Sequence, residues 1–296
     1  MTALPSVHGV LVVDKPAGLT SHDVVQRVRR RLGTREVGHA GTLDPMATGV
    51  LVVVVGEGTK LSTYLTAADK RYAAEVTFGR ATDTLDADGT TTAEGPVPED
   101  LEERLAAALS HERARTEQVP PVYSAIHQGG ERAHAKARRG EEVILAPRTV
   151  RVLSLTLDGY GAASHRAALT LHVSKGYYVR ALARDLGATL GVPSHLTALR
   201  REASGCFNVD VACPLTTADL ASRLIPVRAA AALAIGEVQL TERGEADARA
   251  GRAVQPADLS AACEGPRAWV APGGDLVAIG HIVEGVGRVL RGFRTR

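Results

Sequence analysis

The stretch that most restricts this chain is Val50-Leu51-Val52-Val53-Val54-Val55, together with the segment leading into it, Gly38-His39-Ala40-Gly41-Thr42-Leu43-Asp44-Pro45-Met46-Ala47-Thr48-Gly49. Apolar, mostly β-branched residues in unbroken succession predict a strand covered on both faces, so the polar, glycine-rich segment before it is a loop anchored to a core. Asp44 is then held at the mouth of a rigid element. Pro45 removes a backbone donor and biases Asp44 toward extended geometry, while Gly38, Gly41 and Gly49 permit turns and close approach of a ligand. An Asp-Pro pair alone reads as a turn whose carboxylate caps its own backbone. The familiar catalytic strings are missing: there is no Asp-Thr-Gly and no Gly-x4-Gly-Lys-Ser/Thr, and Gly56-Glu57-Gly58 lacks the third glycine of a dinucleotide fingerprint.

Either side of this stretch the pattern alternates between strands and helices. Val10 to Val13 predicts a buried strand ending in the turn Asp14-Lys15-Pro16-Ala17-Gly18. Ser21 reads as an N-cap, with Val24, Val25, Val28 and Leu32 on one helical face, Arg27, Arg30 and Arg31 largely on the other, and Gly33 as the stop. Thr59 reads as the cap of a short helix. Arg71 to Gly79 alternates, placing Tyr72, Ala74, Val76 and Phe78 on one strand face. A calcium loop around Thr82 to Gly89 fails, because with Gly89 at its sixth position the first and twelfth are Thr84 and Gly95, neither of them acidic. Glu99 to Ser110 reads as an amphipathic helix. Leu169 to Ser174 alternates as a strand, and Val179, Leu182, Ala183 and Leu186 follow at helical spacing, putting Tyr178 and Arg180 in a first turn at a strand end. An arginine there opposes the helix dipole, so anionic charge nearby would offset it.

At 296 residues the chain has material for about two domains. No apolar run reaches the roughly 20 residues of a membrane span, and Met1 to Pro5 lacks the basic and apolar regions of a leader; a cytoplasmic location is the expectation. Cys206, Cys213 and Cys263 are odd in number and lack paired spacing, which argues for inert thiols and no metal site. Net charge is only +2, yet arginines gather at Arg27 to Arg31, Arg132 to Arg139, Arg200-Arg201 and Arg288 to Arg296, a distribution that leans toward an RNA partner.

The Gly38 to Gly49 string resembles the catalytic motif of the pseudouridine synthases, specifically the TruB type. Similar blocks recur along nearly the whole chain: Asp14-Lys15-Pro16-Ala17-Gly18, Lys70-Arg71-Tyr72, the acidic turn Thr82 to Gly89, Pro120-Pro121-Val122-Tyr123-Ser124-Ala125, Ser174 to Arg180, and Leu199-Arg200-Arg201. The resemblance implies an α+β fold, a mixed and mainly antiparallel sheet with flanking helices over residues 1–232. It also implies an RNA-gripping insertion at about 119–148 and a small PUA-like β-barrel over 233–296. The implied activity is isomerisation of the T-loop uridine at position 55 of tRNA, with the base flipped out of the loop and no cofactor or metal. Asp44 would be the nucleophile and Arg180 the partner that keeps it ionised, its charge outweighing desolvation. Tyr72 and Tyr178 would hold the uracil, Tyr72 also helping to remove the C5 proton. His39 would lie against the extruded nucleotide or a neighbouring base, Leu199 would contribute its backbone at the pocket, and Lys15 would give structural support. The implied partner is the T-arm of tRNA, bound by a monomer. His127 and His134 stand where the family commonly has lysine and tyrosine, which bears on RNA contact. Two rival readings stand beside this one: a non-catalytic tRNA-binding protein on the same fold, and a nucleoside glycosidase, which needs a second placed acid that the blocks do not supply.

Overall fold

The computed structural model of the chain describes residues 7–124, 126–128, 131–261 and 264–294; Met1 to Pro5, Cys263 and the side chains of His127 and His134 lie outside that description. The Val50–Val55 run is the core of β3 (Thr48–Val55), buried from Gly49 onward. Its two faces belong to two different cores. Leu51, Val53 and Val55 pack with Val24, Val25 and Val28 of helix α1 (Ser21–Leu32), whereas Val50, Val52 and Val54 pack with Phe207, Ala230, Ala268 and Ile279. Period-two geometry splits one apolar run between two layers, and so the run needs no polar alternation.

Around β3 lie β1 (Gly9–Lys15), β2 (Val37–His39), β4 (Lys70–Phe78), β5 (Val152–Gly161), β6 (Arg166–Val173), β7 (Ser194–Ser204) and β8 (Cys213–Pro214). The main order is β5-β6-β4-β7-β3-β1-β8, with β2 on β3. Pairing is antiparallel except where β7 meets β3 and β1 meets β8. The sheet is therefore mixed and mainly antiparallel, as the resemblance implies. Helices α2 (Leu101–Arg113) and α3 (Val179–Leu190) pack on the same face as α1, burying Leu101, Leu105, Leu109, Leu182 and Leu186.

Local chemistry differs from the sequence expectation at two caps. Thr20, not Ser21, caps α1: its hydroxyl accepts from Asp23 N while the Asp23 carboxylate accepts from Thr20 N, and Gly33 ends the helix at φ 65°. Thr59 caps nothing; it lies inside the 3-10 turn Gly56–Leu61 and donates back to Gly56 O.

Helix α4 (Val227–Ile235) spans the 232/233 junction and buries Ala230 and Ala231 in the second core. Beyond it, β9 (Glu237–Gln239), β10 (Arg267–Val270), β11 (Leu276–Val283) and β12 (Val286–Gly292) form a four-stranded sheet in that order. A barrel was expected here; among the described residues the sheet is open. Helix α5 (Glu242–Arg249) packs against β11 and β12, and the last strand is tied by the bridge from Val254 to Gly287 and by Lys60, whose Nζ donates to Gly292 O. Trp269 fills the interior, lying so close to Gly280 that a Cβ there would fall 2.2 Å from its ring.

Candidate active site

The loop bearing Asp44 is fixed by buried polar side chains from three elements. Ser21 accepts from Leu43 N at 2.8 Å and donates to Leu43 O at 3.0 Å, so the hydroxyl read as a cap is instead a clamp. Lys15, fully buried, donates through Nζ to Pro16 O, Leu19 O and Pro45 O; burial pushes its ammonium down to about 8, with Asp44 the leading force in the opposite direction. Arg201, equally enclosed, donates to Val50 O, Thr42 O and Gly41 O. Gly49, at φ 96°, brings the loop so close to β7 that a Cβ would sit 2.2 Å from Arg201 O. Other clustered arginines are tied to the fold while staying at the surface: Arg31 donates to the Leu215, Thr217 and Ala218 carbonyls, Arg29 to Val37 O, and Arg200, 41% exposed, pairs with Asp14 through both of its terminal nitrogens. Arg27, Arg30, Arg288, Arg291 and Arg294 are exposed.

Asp44 meets Arg180 at two points. Arg180 Nη2 donates to Asp44 Oδ1 at 3.0 Å and Nε lies 2.9 Å from Oδ2; the arginine side chain is 5% exposed and the carboxylate 30%. The same guanidinium donates to Thr84 O and Tyr123 O and lies 3.5 Å from Asp86 Oδ2. Asp86 is buried, reached from Leu85 at a left-handed φ of 64° and set against β7 by a bond from Leu196 N to Leu85 O. Burial raises the Asp44 carboxyl above its ordinary value; Arg180 pulls it down, the Asp86 charge raises it further and Lys15 lowers it, with burial the largest effect. The balance lies on the side of burial, against the sequence expectation that Arg180 outweighs it, with the guanidinium shared between two carboxylates.

This pair opens on a cleft of about 440 Å³ that takes in Lys70, Tyr72, Arg148, Lys175, Tyr178 and Leu199. Tyr72 and Leu199 come from adjacent antiparallel strands, and Tyr178 stands just before the first turn of α3. Burial raises the phenol of Tyr178. Of the residues singled out in the sequence, Asp44, Arg180, Tyr72, Tyr178 and Leu199 converge here. Lys15 stands behind the loop, and His39, on β2 opposite Val53, does not line the cleft. Sequence reasoning passed over Asp86, taken for part of a plain turn, and Arg148, whose only signal was its place at the end of a basic segment. A larger cavity of about 770 Å³ lies elsewhere, between Arg35, Glu57, Lys60, Arg291 and Arg294. Of the two, the smaller one combines an arginine-carboxylate pair with three tyrosines, Tyr72, Tyr177 and Tyr178.

Comparison with known proteins agrees in one direction. Residues 29–179 match the family model described as TruB family pseudouridylate synthase, N terminal domain. A tRNA pseudouridine synthase B from Mycobacterium sp. (strain KMS) is 44% identical over 92% of this chain and 91% of its own length. One of the same name from Thermobifida fusca (strain YX) is 44% identical over 92% and 93%. Among solved structures, a chain of a Cbf5-Nop10-Gar1 complex superimposes with a TM-score of 0.73 at 22% identity, covering 97% of this chain and 84% of that one. A chain of an H/ACA RNP bound to a substrate RNA containing 2'-deoxyuridine gives 0.70 at 22% identity, over 99% and 92%. At that identity the two structures speak for the fold.

Proposed function

The chain belongs to the TruB family of pseudouridylate synthases and is therefore an isomerase; on that premise we propose that it converts the T-loop uridine at position 55 of tRNA to pseudouridine. One observation carries the reading: a carboxylate in two-point contact with a buried guanidinium, facing a cleft of about 440 Å³ lined by tyrosines. The reaction breaks N1–C1′, turns the uracil, joins C5 to C1′ and removes the C5 proton while N1 gains one, so that atoms balance with no redox change.

Asp44 is the nucleophile, attacking the base at C6 or the ribose at C1′. Its raised pKa favours this, since a more basic carboxylate is a better nucleophile once ionised. Arg180 orients it and holds its charge. Extruding the uridine costs roughly a few kcal/mol, and stacking on Tyr72 recovers about 1–3 kcal/mol. Tyr178 closes the other side, the Leu199 backbone meets the uracil edge, and Tyr72 assists loss of the C5 proton. His39 contacts a neighbouring nucleotide outside the cleft, and Lys15 supports the loop from behind.

The insertion at 119–148 grips the T-arm, supported by Ser124 and Arg148 at the rim of the cleft. Residues 233–296 act as a PUA-like RNA-binding unit, supported by Arg291 and Arg294, which face a cavity together with Arg35 and Lys60. The family resemblance further assigns a monomer working in the cytoplasm. The test is Asp44→Asn assayed for tritium release from C5-labelled uridine in a T-loop transcript, alongside tRNA binding. Release falls by roughly 10⁴-fold or more with binding kept. Undiminished release refutes the assignment, and a parent protein that binds tRNA but releases no tritium favours the non-catalytic rival.

A further inference from the structure

The segment leading out of α2 into the insertion runs along the start of α3 and is tied to it residue by residue. Gln118 is buried, and its amide meets the Tyr178 peptide at both polar atoms: Tyr178 N donates to Gln118 Oε1 at 2.8 Å, and Gln118 Nε2 donates to Tyr178 O at 3.2 Å. One side chain supplies the pair of bonds that a neighbouring strand would give, and so fixes the two peptide groups on either side of the Tyr178 Cα, at the head of α3. Tyr178 O also accepts the first helical bond, from Leu182 N. Around this contact, Tyr177 donates its hydroxyl to buried Glu112, Arg184 donates to Val119 O, and Arg180 Nη2 donates to Tyr123 O at 2.9 Å. That nitrogen is the one that meets Asp44. The root of the insertion therefore reaches the reacting carboxylate through a single guanidinium.

We infer that Gln118 is a positioning residue for the isomerisation: it locks the Tyr178–Arg180 segment to the root of the insertion, so that Arg180 holds Asp44 in its reacting orientation. The inference rests on the assignment of Asp44 made above. Gln118 does not line the cleft; its backbone pairs with Arg148 at the rim, and its side chain acts through Tyr178 and Arg180.

Two variants test it. Gln118→Met keeps the volume and removes both bonds. Gln118→Glu keeps them when its acid is protonated, but when ionised sets a negative oxygen against Tyr178 O. Single-turnover rate on a T-loop stem-loop and RNA affinity are measured on the same preparations across pH. In Gln118→Met the rate falls on the order of tenfold while affinity stays within about twofold, and the acid limb of the rate moves to higher pH because Arg180 holds the Asp44 carboxyl down less well. In Gln118→Glu the deficit relative to the parent grows as pH rises. A parental rate in Gln118→Met, or a loss of affinity alone with the acid limb unmoved, overturns the inference. Should Gln118→Met fail to fold, the sign of the pH trend in Gln118→Glu decides: a deficit flat or shrinking with pH refutes it. An inactive Asp44→Asn beside a fully active Gln118→Met sinks this inference and leaves the assigned function standing, whereas an active Asp44→Asn sinks the function first.

Discussion

At the scale of the residue, the chemistry comes from setting a carboxylate between opposing influences. Desolvation lifts the Asp44 carboxyl and Arg180 holds it from rising further. The sign follows directly: activity is full above that raised value and is lost as pH falls through it. The acid limb of the single-turnover rate therefore lies above the ordinary carboxylate value of 3.8. In Arg180→Met it moves higher still, because the leading force lowering the pKa is gone. A rate profile measured on both proteins checks this, and a limb that moves down in Arg180→Met contradicts it. Asp86 matters in the same balance, since it shares the guanidinium and its charge raises the Asp44 carboxyl.

At the scale of the element, the loop between β2 and β3 owes its shape to close approach. Gly49 is left-handed and lies against the Arg201 backbone, so Gly49→Ala meets both a forbidden φ and a carbonyl. Its cost is at least about 2 kcal/mol, read from urea unfolding. A loss of a few tenths would mean that the strands can part without penalty. Arg201 explains why parting is expensive, for its three carbonyl partners all belong to the stretch from Gly41 to Val50. The same reasoning sets Arg201 apart from its cluster: an enclosed guanidinium is a strut, whereas exposed ones such as Arg27, Arg30 and Arg148 remain available for nucleic acid.

At the scale of the molecule, the two faces of β3 join the catalytic sheet to the C-terminal unit. Val50, Val52 and Val54 share a core with Ala230, Ala268 and Ile279, so each unit, besides its own core, leaves an apolar face that the other covers. Full-length protein is therefore expected to unfold in one transition, with Trp269 fluorescence, the signal of the chain's single tryptophan in the C-terminal sheet, coinciding with far-UV circular dichroism across urea. Two separated midpoints would contradict the coupling. A chain ended at Ile225 exposes the second face of β1 and β3 and binds an apolar dye that the full chain does not.

The order of residues alone determined the buried strand, the loop carrying Asp44, the alternation that sets Tyr72 inward and the helical spacing that starts at Val179, because these are short-range matters of period, turn chemistry and side-chain branching. It also carried the family blocks, and with them the pairing of Asp44 with Arg180 as an expectation. Only the folded chain decided that Arg201, Lys15 and Ser21 serve the loop, that Asp86 shares Arg180, that Gln118 ties the insertion to α3, and that the C-terminal strands lie open. Each of these depends on where distant backbone carbonyls and carboxylates come to rest, and on how much water is left between them. A residue's type does not record that.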